Sequence, residues 1–190
     1  MIHSSCFTIS GPPGSGTSTA SWLLASHLGY RHIDVGTLFR EMAVKAGVTL
    51  EDFDRMAEEN HQIDRDLDAK MVEIARSDAH ALVLEGRLTG ILLRREKIEC
   101  FAVRLDAPEE IRAVRIAQRD KVSFQEAFQH LREREVSEQK RYHDIYGIDV
   151  NDLSIYDLII NSEKYSPEEI IAKIIIRSGV KGKDERDPDR

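Results

Sequence analysis

Residues 11–19 read Gly11-Pro12-Pro13-Gly14-Ser15-Gly16-Thr17-Ser18-Thr19, and the fold turns on this stretch. An apolar run, Cys6 to Ser10, precedes it, and a helical pattern with Trp22, Leu23, Leu24 and Leu28 on its apolar side follows. A glycine-rich loop between a strand and a helix is the setting in which backbone amides cradle a phosphate. Glycines let the chain wrap closely around an anion, since they tolerate positive φ and carry no side chain. The amides form an inward nest, and the helix N-terminus adds its positive end. Ser18 stands where a hydroxyl reaches Mg²⁺. A lysine is the usual residue after the second framing glycine, where it reaches the β- and γ-phosphates. Thr17 occupies that place here, so a tight strand-to-helix turn without nucleotide is the competing reading.

Outward from the loop, five short apolar runs read as strands: Cys6 to Ser10, His32 to Val35, Ala81 to Glu85, Cys100 to Asp106 and Leu158 to Asn161. Helical patterns lie between them. This alternation predicts a three-layer α/β fold, a five-stranded parallel sheet covered by helices on both faces. Two segments leave the alternation, Thr37 to about Asp78 and Ile111 to Asp149. Both read as helical excursions within one domain over residues 1–180, at 36–80 and 111–150. Ser123 with Glu126 predicts a capping box that opens a helix to about Tyr146. Ser166-Pro167-Glu168-Glu169 predicts an N-cap, a first-turn proline and first-turn acids. The tail from Lys181 to Arg190 is nearly all charged, Gly or Pro, and is expected to stay disordered.

Composition narrows the class. A chain of 190 residues suits one domain, and 41% apolar with 32% charged residues suits a soluble globular one. No run approaches the roughly eighteen apolar residues of a membrane span, and the start MIHSSCFTIS lacks a basic n-region. The net charge of −7 argues against non-specific binding to nucleic acid or membranes. Cys6 and Cys100 lie in apolar runs and read as free core thiols of a reducing cytoplasm. The seven histidines show no metal-ligand spacing.

An acidic protein that handles phosphates must concentrate its cations locally. Arg112, Arg115 and Arg119 recur at i, i+3 and i+7 on one helical face, and Arg132, Arg134, Lys140 and Arg141 follow. Arginine suits bidentate phosphate contact. Such a segment would work as a lid that excludes water, the competing acceptor. The plainer alternative is a solvated helix whose arginines pair with Glu109, Glu133, Glu135 and Glu138. On the acceptor side, Asp34-Val35-Gly36-Thr37-Leu38-Phe39-Arg40 and Leu84-Glu85-Gly86-Arg87 both follow predicted strands, where parallel sheets bind ligands. Arg40 and Arg87 are candidate grips for an acceptor phosphate. Glu85 is a candidate Mg²⁺ carboxylate acting through water.

With these residues in hand, the chain resembles the nucleoside monophosphate kinases, most closely the archaeal-type cytidylate kinases. The resemblance runs from Phe7 to about Ile176. It rests on GPPGSGTST, on GTLFRE at 36–41, on LEGRLTG at 84–90, on KRYHDIYGID at 140–149 and on LSIYDLIINSEKYSPEE at 153–169. That subfamily also carries Thr in place of the loop lysine. The resemblance implies ATP- and Mg²⁺-dependent phosphorylation of CMP and dCMP. The acidic balance adds the expectation of no nucleic-acid or membrane partner, and a monomer is expected. The resemblance also implies that residues 11–19 bind ATP, with Asn161 to Lys164 near its base, and that Ser18 and Glu85 serve the metal. Gly36, Arg40 and Arg87 would bind CMP, within the segment 36–80 and its neighbour. Arg112, Arg115, Arg119, Arg134 and Arg141 would be the catalytic cations of a lid at 111–150. Kinases of AMP, UMP or another metabolite, and a loop-bearing ATPase or switch, are the alternatives.

Overall fold

The computed structural model describes residues 5–77 and 81–181. Five parallel strands form one sheet in the order β2-β3-β1-β4-β5. They are β1 (Cys6–Ser10), β2 (Arg31–Asp34), β3 (Leu82–Glu85), β4 (Phe101–Asp106) and β5 (Leu158–Asn161). Each of the five expected strands forms, with small shifts at the ends. The clearest is at Val35, expected to close β2 but in fact the first residue of α2 (Val35–Ala46). Asp34 is the reason. Its carboxylate accepts the N–H groups of Gly36 (2.8 Å) and Thr37 (3.1 Å), so the chain turns into helix one residue early.

Alternate residues of each strand face opposite layers. Phe7 and Ile9 of β1 join Val83, Val103, Leu105 and Ile160 beneath α1 (Thr17–Leu28) and α8 (Pro167–Ser178), where Leu24, Leu28, Ile170, Ile171 and Ile174 close the core. The other face places Cys6, Leu82, Leu84 and Ala102 against Met71 and Ala75 of α4 (Gln62–Ser77) and Leu93 of α5 (Thr89–Arg95). This is the predicted three-layer arrangement, and β1, buried along its whole length, is its axis. Cys6 and Cys100 are buried free thiols. Burial pushes their pKa values up to about 12 and about 11, so neither is a nucleophile near neutral pH.

The first helical excursion holds α2, α3 (Leu50–Glu59) and α4; the expected end at Asp78 lies outside the described residues, as does the tail beyond Lys181. The second holds α6 (Glu109–Asp120) and α7 (Phe124–Tyr146). At the start of α7, Ser123 accepts the N–H of Glu126 at 3.2 Å, one half of the expected box. The reciprocal pair forms at α8 instead, between Ser166 and Glu169. Among the described residues no helix is long and apolar enough to cross a membrane.

Candidate active site

All five strands run parallel, so their C-terminal ends share one edge of the sheet, and strand order reverses about β1. That reversal opens the crevice where α/β folds bind ligands. The loop 11–16 leaves β1 at this point. Gly14 and Gly16 have φ of +80° and +91°, a left-handed region that costs L-residues about 1–2 kcal/mol. A side chain at Gly11 would also press to 2.3 Å from the carbonyl oxygen of Leu105. The glycines are therefore demanded by the path of the chain.

The loop is clamped from outside by three guanidinium groups that reach its carbonyl oxygens. Arg87, just past β3, donates to Gly11 O at 2.5 Å. Arg112 of α6 donates to Pro13 O at 3.2 Å, and Arg115, one turn on, to Gly14 O at 3.2 Å. Arg115 also holds Ser162 after β5, through Oγ and the carbonyl oxygen, both at 3.0 Å. Asn161 lies at the end of β5 beside it.

Beneath the loop sits a pair of carboxylates. The β2–β3 register sets Asp34 opposite Glu85. Thr17 and Ser18 donate to Glu85 Oε1 at 2.6 and 3.0 Å. Glu85 Oε2 is buried and receives no donor. Burial raises the pKa of Glu85, and the nearby Asp34 charge adds to it. Burial alone would raise Asp34 too, but hydrogen bonds from Thr37 and Gly36 outweigh it and hold Asp34 low. The two environments thus push the facing acids apart, Glu85 upward and Asp34 downward.

This cluster fits a small hard cation. Two hydroxyls and a buried carboxylate oxygen with no donor are the ligand chemistry Mg²⁺ takes from protein, which usually supplies only one or two carboxylates. Among the described residues no group of three or more His, Cys, Asp or Glu is arranged to hold a metal.

The expected acceptor and lid residues are placed as follows. Arg40, exposed at the mouth, reaches Asp34 Oδ2 at 3.2 Å and Thr37 Oγ1 at 2.7 Å. Gly36 is tight, since an added Cβ would lie 3.2 Å from Asp34 Oδ1 and 3.4 Å from Arg40 Nη1. Arg87 pairs through Nε with Glu138 Oε2 on α7 at 2.8 Å, while Arg134 takes Glu138 Oε1, also at 2.8 Å. Burial would raise the pKa of Glu138, but the Arg87 and Arg134 charges outweigh it and lower it. Arg141 pairs with Asp64 of α4 at 3.0 Å. Arg112 is almost fully buried. Arg119 points to solvent, paired with its neighbour Asp120. The pairing alternative is thus partly realised, with Glu109 on Arg132, Glu135 on Arg112 and Glu138 on Arg87 and Arg134.

Sequence reasoning gave Asp34 no role in the site, named Glu135 only as a pairing partner of the lid arginines, and set Ser162 near the ATP base without its link to Arg115. Asp34 carries a signal, a capping residue two places before Gly36-Thr37. Which arginine Glu135 and Ser162 meet carries no local signal, because those partners lie 23 and 47 residues away.

Residues 6–164 match the cytidylate kinase-like family. A cytidylate kinase from Pyrococcus horikoshii is 46% identical over 165 residues, spanning 87% of this chain and 83% of the relative. One from Thermococcus kodakarensis is 41% identical over 186 residues, spanning 95% and 94%. Among solved structures, an uncharacterized protein from Eubacterium ventriosum superposes with a TM-score of 0.71 at 17% identity, over 95% of this chain and all of that one. A shikimate kinase from Bacteroides thetaiotaomicron superposes with a TM-score of 0.59 at 14% identity, over 90% and 96%. At those identities the two structures speak for the fold alone.

Proposed function

Because the chain belongs to the cytidylate kinase-like family, we propose that it transfers the γ-phosphoryl group of ATP to CMP, and to dCMP, giving the diphosphates. The observation that carries this reading is the clamped glycine loop standing over Thr17, Ser18 and Glu85 at the reversal of strand order.

The acceptor is already an anionic phosphate oxygen, so no general base is needed. That oxygen attacks the γ-phosphorus in line. The new P–O bond forms as the bond to the β–γ bridging oxygen breaks, and the electron pair leaves with ADP. Catalysis is then positioning plus charge neutralisation. The loop from Gly11 to Thr19 holds the donor phosphates through the backbone N–H groups of its non-proline residues, and Asn161 to Lys164 lie beside the base. Ser18 and Glu85 would hold Mg²⁺, directly or through water. When bound, the ion neutralises charge on the donor phosphates. Gly36, Arg40 and Arg87 bind the acceptor, within a helical acceptor segment at 36–80 and the turn after β3. Arg115, Arg119, Arg134 and Arg141 supply cations from the lid at 111–150. Both segments belong to one domain over residues 1–180, which we place in the reducing cytoplasm as a monomer.

The deciding experiment measures ADP formation from Mg–ATP with CMP, dCMP, UMP, AMP and GMP as acceptors. CMP and dCMP should give the highest kcat/KM. A preference for AMP, UMP or GMP would assign another monophosphate. A rate unchanged by any acceptor would make the protein an ATPase.

A further inference from the structure

Arg112 was expected among the catalytic cations, yet the geometry gives it different work. Its side chain is 7% exposed, and four of its five N–H groups already have protein partners. Nε donates to Ala107 O at 2.9 Å and Nη1 to Pro13 O at 3.2 Å. The same guanidinium meets Glu135 of α7, with Nη1 to Oε1 at 2.5 Å and Nη2 to Oε2 at 3.5 Å. One planar group therefore bridges the root of α6, the phosphate loop and the long lid helix.

The loop end of this bridge has a defined consequence. No peptide in the described chain is cis. In a trans peptide the C=O and the following N–H point in opposite directions. Holding Pro13 O outward on Arg112 thus fixes the Gly14 N–H on the opposite side of its plane. Gly14 is pressed against the same residue, since an added Cβ would lie 2.7 Å from Arg112 O and 3.0 Å from Arg112 Cβ. Three positions on, Glu138 takes Arg87, which holds Gly11 O. Glu135 and Glu138 are one turn apart on α7 and share a face. Each reaches a loop carbonyl through one arginine.

We propose that Arg112 and Glu135 are a positioning pair, coupling the seat of α7 to the orientation of the loop amide at Gly14, and so to the grip on ATP. Neither residue touches substrate. The inference rests on ATP binding at this loop, and not on which monophosphate accepts. When α7 is seated, the carboxylate of Glu135 anchors the guanidinium and the loop is held in shape. When α7 lifts, the guanidinium loses its counter-charge and the Pro13–Gly14 peptide is freed to rotate. Donor affinity therefore follows lid position.

The test uses E135Q and R112K, with binding of Mg–ATP measured by calorimetry without acceptor, alongside full kinetics. The Gln variant keeps an acceptor oxygen and Glu135 is partly exposed, so the fold should survive; circular dichroism melting checks this. Each variant should weaken Mg–ATP binding and raise KM for ATP about tenfold, while KM for the acceptor stays within about twofold. A general loss of structure would move both KM values together. The double variant should be no worse than the worse single one. Wild-type ATP affinity in folded E135Q overturns the pair, as do additive effects in the double variant. Should R112K fail to fold, E135Q alone decides. Failure of the wild type itself to bind Mg–ATP would sink the kinase reading and this inference together. Binding by the wild type with unaltered variants would sink this inference alone.

Discussion

The Thr17 hydroxyl donates a hydrogen bond to Glu85 Oε1 at 2.6 Å, joining the first residue of α1 to the last residue of β3. The position where such loops usually carry lysine is thus spent on the carboxylate below the loop, and positive charge arrives instead from Arg87, Arg112 and Arg115 on the loop's outer side. Thr17→Ser should remain close to wild type. Thr17→Val removes the donor from a buried carboxylate and should cost about 1–3 kcal/mol, read as a lower Tm with reduced turnover. Thr17→Lys should not improve catalysis, since the ammonium would be drawn to Glu85. A lysine variant faster than wild type would refute this account of the site.

Arg87 joins two tasks, and its removal should show both. Its Nη1 holds Gly11 O and its Nε pairs with the buried Glu138. Arg87→Ala leaves Glu138 with Arg134 as its remaining ion-pair partner, so a loss of about 3 kcal/mol is expected from the broken, largely buried pair. Acceptor kcat/KM should fall on the order of 10³-fold. Arg87→Lys should recover part of the stability but little of the activity, because an ammonium lacks the guanidinium fork. Thermal melts beside steady-state kinetics separate the two losses, and a stable Ala variant with wild-type kinetics would remove Arg87 from the site.

The two loop glycines with positive φ should differ in their tolerance. Both carry the backbone cost of an L-residue there, but nothing lies within 4 Å of a Cβ built on Gly16, whereas one on Gly14 meets the Arg112 backbone at 2.7 Å. Gly16→Ala should cost about 1–2 kcal/mol from strain alone. Gly14→Ala should cost more and abolish ATP binding, since α6 or the loop must move. Chemical denaturation and an ATP titration of each variant check the order.

Asp68 should make stability depend on pH. Burial raises its pKa to about 7, while a hydrogen bond from Tyr146 at 2.6 Å works against that rise. Asp64 adds to the shift and Arg141 opposes it. The folded pKa lies above the unfolded value, so the folded chain binds the extra proton. Its stabilising contribution is full below about pH 4 and is lost as pH rises through about 7. Asp68→Asn keeps an acceptor for Tyr146 and removes the charge. It should be more stable than wild type at pH 8 by on the order of 2 kcal/mol, a Tm rise of about 4–8 °C, with little difference at about pH 4. Equal melting temperatures at pH 8 would contradict this assignment.

Much of this protein was legible along the chain because the signals are local. Strand β1, the glycine loop and the start of α1 are contiguous, and backbone sterics make Gly14 and Gly16 readable as turns without reference to anything distant. The alternation of apolar runs likewise gave five strands and the layer order, since burial on both faces needs only residues a few places apart. The chain could not say what each arginine does. Arg112 and Arg115 sit three residues apart in one helical pattern, yet one is locked between Pro13 and Glu135 and the other between Gly14 and Ser162. A guanidinium's role is set by whichever carbonyls and carboxylates the fold brings within about 3 Å of it, and here those come from elements up to 101 residues away. Sequence settled the kind of site and its central loop; only the packing of α6 and α7 over that loop divided its charges into those that brace the backbone and those left to meet substrate.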